Sequence, residues 1–149
     1  MGMEDYASAL ADGIEEALPG WVERSVARIM TAWAGSVPPE VASAAQEAGR
    51  QAQAEVGPDV RDLLLADIDE QSTTPLAILR ADAVRYPTAV LQNAGVPPVQ
   101  RDEFVEEVFP DDTYDLAPAS FGDLDPNLAD IGISWGAAKA FEHKRRHRS

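Results

Sequence analysis

Cysteine is absent from the 149 residues, which removes disulfides, thiolate-bound zinc and cysteine nucleophiles together. Aromatic residues make up only 7% of the chain, so much of its apolar content is the 25 alanines. Lysine occurs twice against ten arginines, a bias expected of a GC-rich bacterial coding sequence. Long hydrophobic runs are also missing. The longest, Leu63, Leu64, Leu65 and Ala66, falls far short of the ~20 residues that span a bilayer. The first residues, MGMEDYASAL, carry acids where a signal peptide carries bases. The expectation is a soluble, cytoplasmic chain forming one domain over residues 1–149.

Charge of one sign is scarce in a particular place. The net charge is −14, but residues 102–130 hold ten acids and no base, whereas 131–149 hold five bases and one acid. Such a surface repels DNA and anionic lipid nearly everywhere. No membrane contact is expected. Nucleic-acid contact is confined to the Lys144–Arg148 tail, which lacks the aromatic and glycine interleaving of nucleic-acid modules.

What is present is helical periodicity broken by proline and glycine. Tyr6, Leu10, Ile14 and Leu18 recur every four residues from Glu4 to Leu18, and Pro19-Gly20 is read as the end of that element. Trp21 to Trp33 carries Val22, Val26, Ile29, Met30 and Trp33 as the next stripe. A third helix runs from Pro39-Glu40 to about Val56, with Val41, Ala45, Ala48 and Ala52 on a face that permits close approach. Asp59 to about Glu70 follows, and Thr74-Pro75 opens the next element. Pro87 is read as starting a short helix to Asn93, and Arg101 to Phe109 as another. The last is expected from Trp135 to Arg145, burying Trp135, Ala138 and Phe141. No alternating strand pattern of useful length appears. The fold class is therefore all-α: a compact bundle of about six to eight short helices over 1–108, an irregular acidic segment at 109–134 wrapping the core, and a C-terminal helix and basic tail at 135–149.

Several motifs touch on chemistry without completing it. GISWG, Gly132 to Gly136, matches G-x-S-x-G, but no strand precedes Ser134. His143 would stand ~13 Å further along the same helix. Ser134 is read instead as a helix cap, with Gly132 permitting the turn before it. Asp123, Asp125 and Asn127 sit at the first, third and fifth places of a calcium loop, yet Leu128 and Ser134 replace its Gly and Glu. Ser120 with Asp123, and Asp125 with Pro126, are better read as helix starts. His143 and His147 share a helical spacing inside EHKRRHRS, where cations oppose a metal ion. Glu103/Glu107 and Asp102/Glu106 are read as a solvated face. No catalytic residue, metal or cofactor is implied.

The remaining feature is FPDDTYDLAPASFGDLDPNL, residues 109–128. Its large apolar side chains exceed what a disordered acidic linker carries, and each is worth ~1.5–3 kcal/mol once buried. It reads first as a segment held down by its own rings. It reads second as a recognition surface, in which Phe109, Asp111, Asp112, Tyr114, Asp115, Phe121 and Trp135 meet an unidentified protein partner with a basic surface. The expected function is thus a non-enzymatic adaptor or regulator. The rivals are a nucleic-acid accessory protein using the tail and a metal-dependent or serine hydrolase. The basic tail facing the acidic stretch of a second copy makes a homo-oligomer possible.

Overall fold

The structure is a computed structural model that describes residues 2–66, 74–98, 114, 116 and 120–146. Among the described residues it is all-helical, with six helices and no strand. They are α1 (Met3–Ala34), α2 (Pro39–Glu55), α3 (Gly57–Ala66), α4 (Thr74–Asn93), α5 (Phe121–Leu124) and α6 (Leu128–Arg146). The first helix is the spine. It packs against every other helix, with α2 and α4 also packed on each other.

Two expected breaks are not breaks. α1 runs through Pro19 and α4 through Pro87. A proline inside a helix costs about 3 kcal/mol by deleting one backbone hydrogen bond and crowding the preceding turn. In α1 that cost is outweighed, because the apolar stripe keeps register on both sides of the proline. Leu10, Ile14 and Leu18 before it and Trp21, Val22 and Val26 after it are all buried, and each contributes ~1.5–3 kcal/mol. The missing hydrogen bond is also replaced. Without an N–H at Pro19, the carbonyl of Glu15 loses its usual donor, and the Gln53 side-chain amide on α2 donates to it at 3.1 Å.

That substitution needs α2 to lie close to the proline, and a glycine makes this possible. A Cβ at Gly49 would fall 2.9 Å from Pro19 Cα and 3.0 Å from its carbonyl oxygen. Ala45, Ala48 and Ala52 complete the same small-residue face, all buried. The expectation of close approach along the Ala-rich helix is therefore realised at a particular crossing point.

Helix ends follow local chemistry. Gly35 closes α1 at φ 83° and Gly95 follows α4 at φ 80°, a left-handed conformation that glycine adopts without strain. After α4 the Gly95 and Val96 amides return to the carbonyls of Gln92 and Leu91, the paired bonds of a Schellman end. Proline at the first position of α2 meets the reading of Pro39-Glu40.

The last helix begins at Leu128, seven residues before the position read from sequence. Its start is made by Asp125, whose backbone carbonyl accepts the Leu128 amide at 2.9 Å and whose Oδ1 accepts the Asn127 amide at 2.8 Å. Ser134 is consequently inside the helix and is not its cap. Gly132 does not make a turn. It is buried under the Phe121 ring, whose nearest atom would lie 2.9 Å from a Cβ there. Trp135 is buried, but Phe141 is 67% exposed. Residues three apart drift about 60° around a helix per step, so 135, 138 and 141 cannot share a face. The buried side is Leu128, Gly132, Trp135 and Lys139.

Candidate functional site

The residues singled out in the acidic stretch separate on inspection. Tyr114 is fully buried, and its hydroxyl donates to the Val96 carbonyl at 2.8 Å. Leu116, Leu124 and Leu128 are buried as well. Trp135 is 6% exposed, and half-buried Phe121 meets its ring edge-on with centroids 5.8 Å apart. Tyr114 and Trp135 are core side chains, which a docking protein would not reach without opening the fold. Tyr114 sits just past the end of α4, bonded to Val96, and Trp135 stands on the buried side of α6 against Phe121. Phe109, Asp111, Asp112 and Asp115 lie outside the described residues, as do Arg101–Phe109 with its paired carboxylates and the histidine at 147.

The carboxylates within reach serve the backbone. Asp123 accepts the Ser120 amide at 3.0 Å and its hydroxyl at 3.2 Å, the helix-start role read from the sequence. Arg24 of α1 donates to the Leu124 carbonyl at 2.6 Å, tying α5 to the spine. No group of three or more Asp, Glu, His or Cys side chains among the described residues is arranged to hold a metal ion. Ser134 and His143 lie nine positions apart on one straight helix, which keeps them out of hydrogen-bonding range. In the basic tail, Lys144 is exposed while Arg145 is paired with Glu142 at 2.7 Å.

A surface not singled out from the sequence carries more promise. Between α2 and α4 runs a groove made of two adjoining recesses of about 430 and 460 Å³ that share Ala44, Val90 and Asn93. Its floor is Val41, Ala44, Ala48, Ala89 and Val90, and its near end is Trp33, 52% exposed at the last turn of α1. Glu40, Glu47 and Glu55 stand on its rim with Arg85. The alanine face is what creates it: side chains that stop at Cβ leave space between two helices along their outer edge. Trp33 continues the apolar stripe of α1 in sequence but is not buried with it. It lies one turn beyond the core and caps the groove instead.

The far end is fixed by Tyr86, whose hydroxyl hydrogen-bonds Glu55 across the helix pair. The Arg85 guanidinium lies 5.7 Å from the Tyr86 ring centroid. Burial, then the Glu55 carboxylate, pushes the Tyr86 phenol up to about 12, and burial raises Tyr114 also. These raised values have a consequence for stability. The unfolded chain releases its phenolic protons near pH 10, whereas the folded chain holds them to higher pH. The stabilisation is complete below pH 10 and is lost as pH rises from there through about 12. Denaturant midpoints should therefore fall steeply above about pH 10, and Tyr86→Phe should flatten that fall while leaving the neutral-pH signal helical.

The chain's sequence motifs could not disclose this groove, because it depends on which alanines face outward between two helices distant in sequence. The available signal was an aromatic residue, Trp33, at the end of one helix and shortly before an Ala-rich one. Comparison with known protein families, with curated proteins and with solved structures finds no match to the chain.

Proposed function

We propose that this protein is a non-catalytic protein-binding module that receives an amphipathic helix of a partner in the α2–α4 groove. The observation that carries the reading is Trp33, a half-exposed ring at the end of an alanine-floored channel. Tryptophan is among the side chains that dominate binding energy at interfaces, and grooves between helices take amphipathic segments through apolar anchors one turn apart. α2 is 17 residues long, or about 25 Å, enough to seat four turns of a guest helix.

The charge on the rim sets the guest's character. Three glutamates against one arginine at the groove, on a chain of net charge −14, favour a partner with lysines or arginines flanking its apolar stripe. Electrostatics of this kind chiefly speeds encounter and weakens with salt. In this reading Tyr114 and Leu116 belong to the core, and adaptor activity belongs to the groove.

The test is comparative affinity capture from extracts of the native host with wild-type protein and with Ala44→Arg. Ala44 is exposed on the groove floor, so the arginine fills the channel without entering the core. A partner retained by wild type and lost from Ala44→Arg and from Trp33→Ala is the expected result. Identical captured sets from all three proteins would rule the groove out.

A further inference from the structure

The outward face of α6 is apolar in its middle and charged at its ends. Ile133 is 71% and Phe141 67% exposed, and Ala137 between them is exposed too. Asp130 and Lys144, both exposed, continue the same line. The five positions 130, 133, 137, 141 and 144 are spaced 3, 4, 4 and 3 residues apart. That spacing keeps them on one helical stripe and reads the same from either end. The apolar residues are symmetric about Ala137, whereas the charges are opposite. Among the described residues, α6 meets α1 and α5 through its other side, so this stripe is left to solvent.

We propose that the stripe pairs with the α6 of a second copy, antiparallel and centred on Ala137. Reversal of one helix against its twin sets Ile133 beside Phe141 of the other copy and Ala137 beside Ala137. It also sets Asp130 against Lys144 of the other copy, and twofold symmetry makes the Ile133–Phe141 and Asp130–Lys144 contacts twice. A parallel pairing would stack Asp130 on its own counterpart and is disfavoured by like charge. The methyl groups of Ala137 allow the two helices to approach closely at the crossing. Two large apolar side chains standing two turns apart on one stripe are what an association face presents, and the reversed charges select this chain as its own partner. The inference is independent of the α2–α4 groove, none of whose lining residues lies on α6.

Sedimentation velocity on the full chain tests it. A lone helix pair covers less than the roughly 800 Å² per partner of a standard stable complex, so a concentration-dependent monomer–dimer equilibrium is expected, shifting toward monomer as salt rises. Ile133→Glu and Phe141→Glu should each abolish the dimer, and because both positions are exposed the far-UV circular dichroism should be unchanged. Asp130→Lys or Lys144→Asp alone should weaken association by about tenfold at low salt. Asp130→Lys combined with Lys144→Asp should restore it, because the opposed charges are then exchanged and not lost. Monomer at every concentration, a dimer indifferent to Ile133→Glu and Phe141→Glu, or a double reversal no better than the single ones would overturn the proposal.

Discussion

Gly49→Val should lower the unfolding midpoint of this protein by on the order of 10 °C, corresponding to about 3 kcal/mol or more. The clash is with backbone: a Cβ at this site falls 2.9 Å from Pro19 Cα and 3.0 Å from Pro19 O. A flexible side chain could step aside, but the main chain of α1 cannot. α2 would have to lift from the spine, which uncovers buried Ala45, Ala48 and Ala52 and pulls Gln53 from the Glu15 carbonyl. Gly49→Ala makes the sharper case. Helix propensity alone favours alanine over glycine by about 1 kcal/mol, so a bare helix would be stabilised. Contact with Pro19 reverses the sign, and a net loss is expected. Thermal melts of the two variants decide it; an unchanged or raised midpoint for Gly49→Ala would show that the helices do not meet at this glycine.

The same crossing predicts a specific coupling. Gln53→Ala strands a partly buried carbonyl and should cost about 1–2 kcal/mol. In a Pro19→Ala background the amide of residue 19 becomes available to Glu15, and the Gln53 substitution should then cost much less. Additive losses in that double-mutant cycle would mean that the side chain does not replace the proline's missing donor.

Tyr114→Ala should destabilise the fold by about 3–5 kcal/mol, the range for deleting a fully buried aromatic side chain. Tyr114 has no measurable exposure and fills space beside the end of α4. Tyr114→Phe separates volume from hydrogen bonding. It retains the ring and removes only the donor to the Val96 carbonyl, so it should cost about 1–2 kcal/mol. An interface residue would behave differently, with stability unchanged and binding lost. If Tyr114→Ala melts like wild type in denaturant titration, the ring is not part of the core and its place among recognition residues is restored.

The pattern of what could be read from sequence is physical. Helical class and the buried faces of α1 as far as Met30 and of α2 followed from apolar spacing, because a stripe of period 3.6 constrains burial directly. Positions of breaks did not follow at Pro19 and Pro87, since the local penalty of a proline is visible in sequence and the tertiary gain on either side is not. The final helix was misplaced for a related reason. Asp125 starts it through a turn that Asn127 closes, and Gly132, which in sequence resembles a break, is a seat for Phe121. Ser120 and Asp123 were legible as a helix start because that interaction spans only three residues. The groove was not legible. It is formed by residues from Met30 to Ala94 in three stretches of chain, and no local motif encodes the space between them.

Whether a partner binds in the α2–α4 groove is decided by site-specific photo-crosslinking in the native host. A photoreactive residue replacing Ala44 on the groove floor is compared with one replacing Asp59, exposed on α3. The expected result is a discrete protein adduct from position 44 only, mapping to an amphipathic, basic segment of the partner and disappearing when Trp33→Ala is added. No adduct at position 44, or the same adduct from position 59, would contradict it.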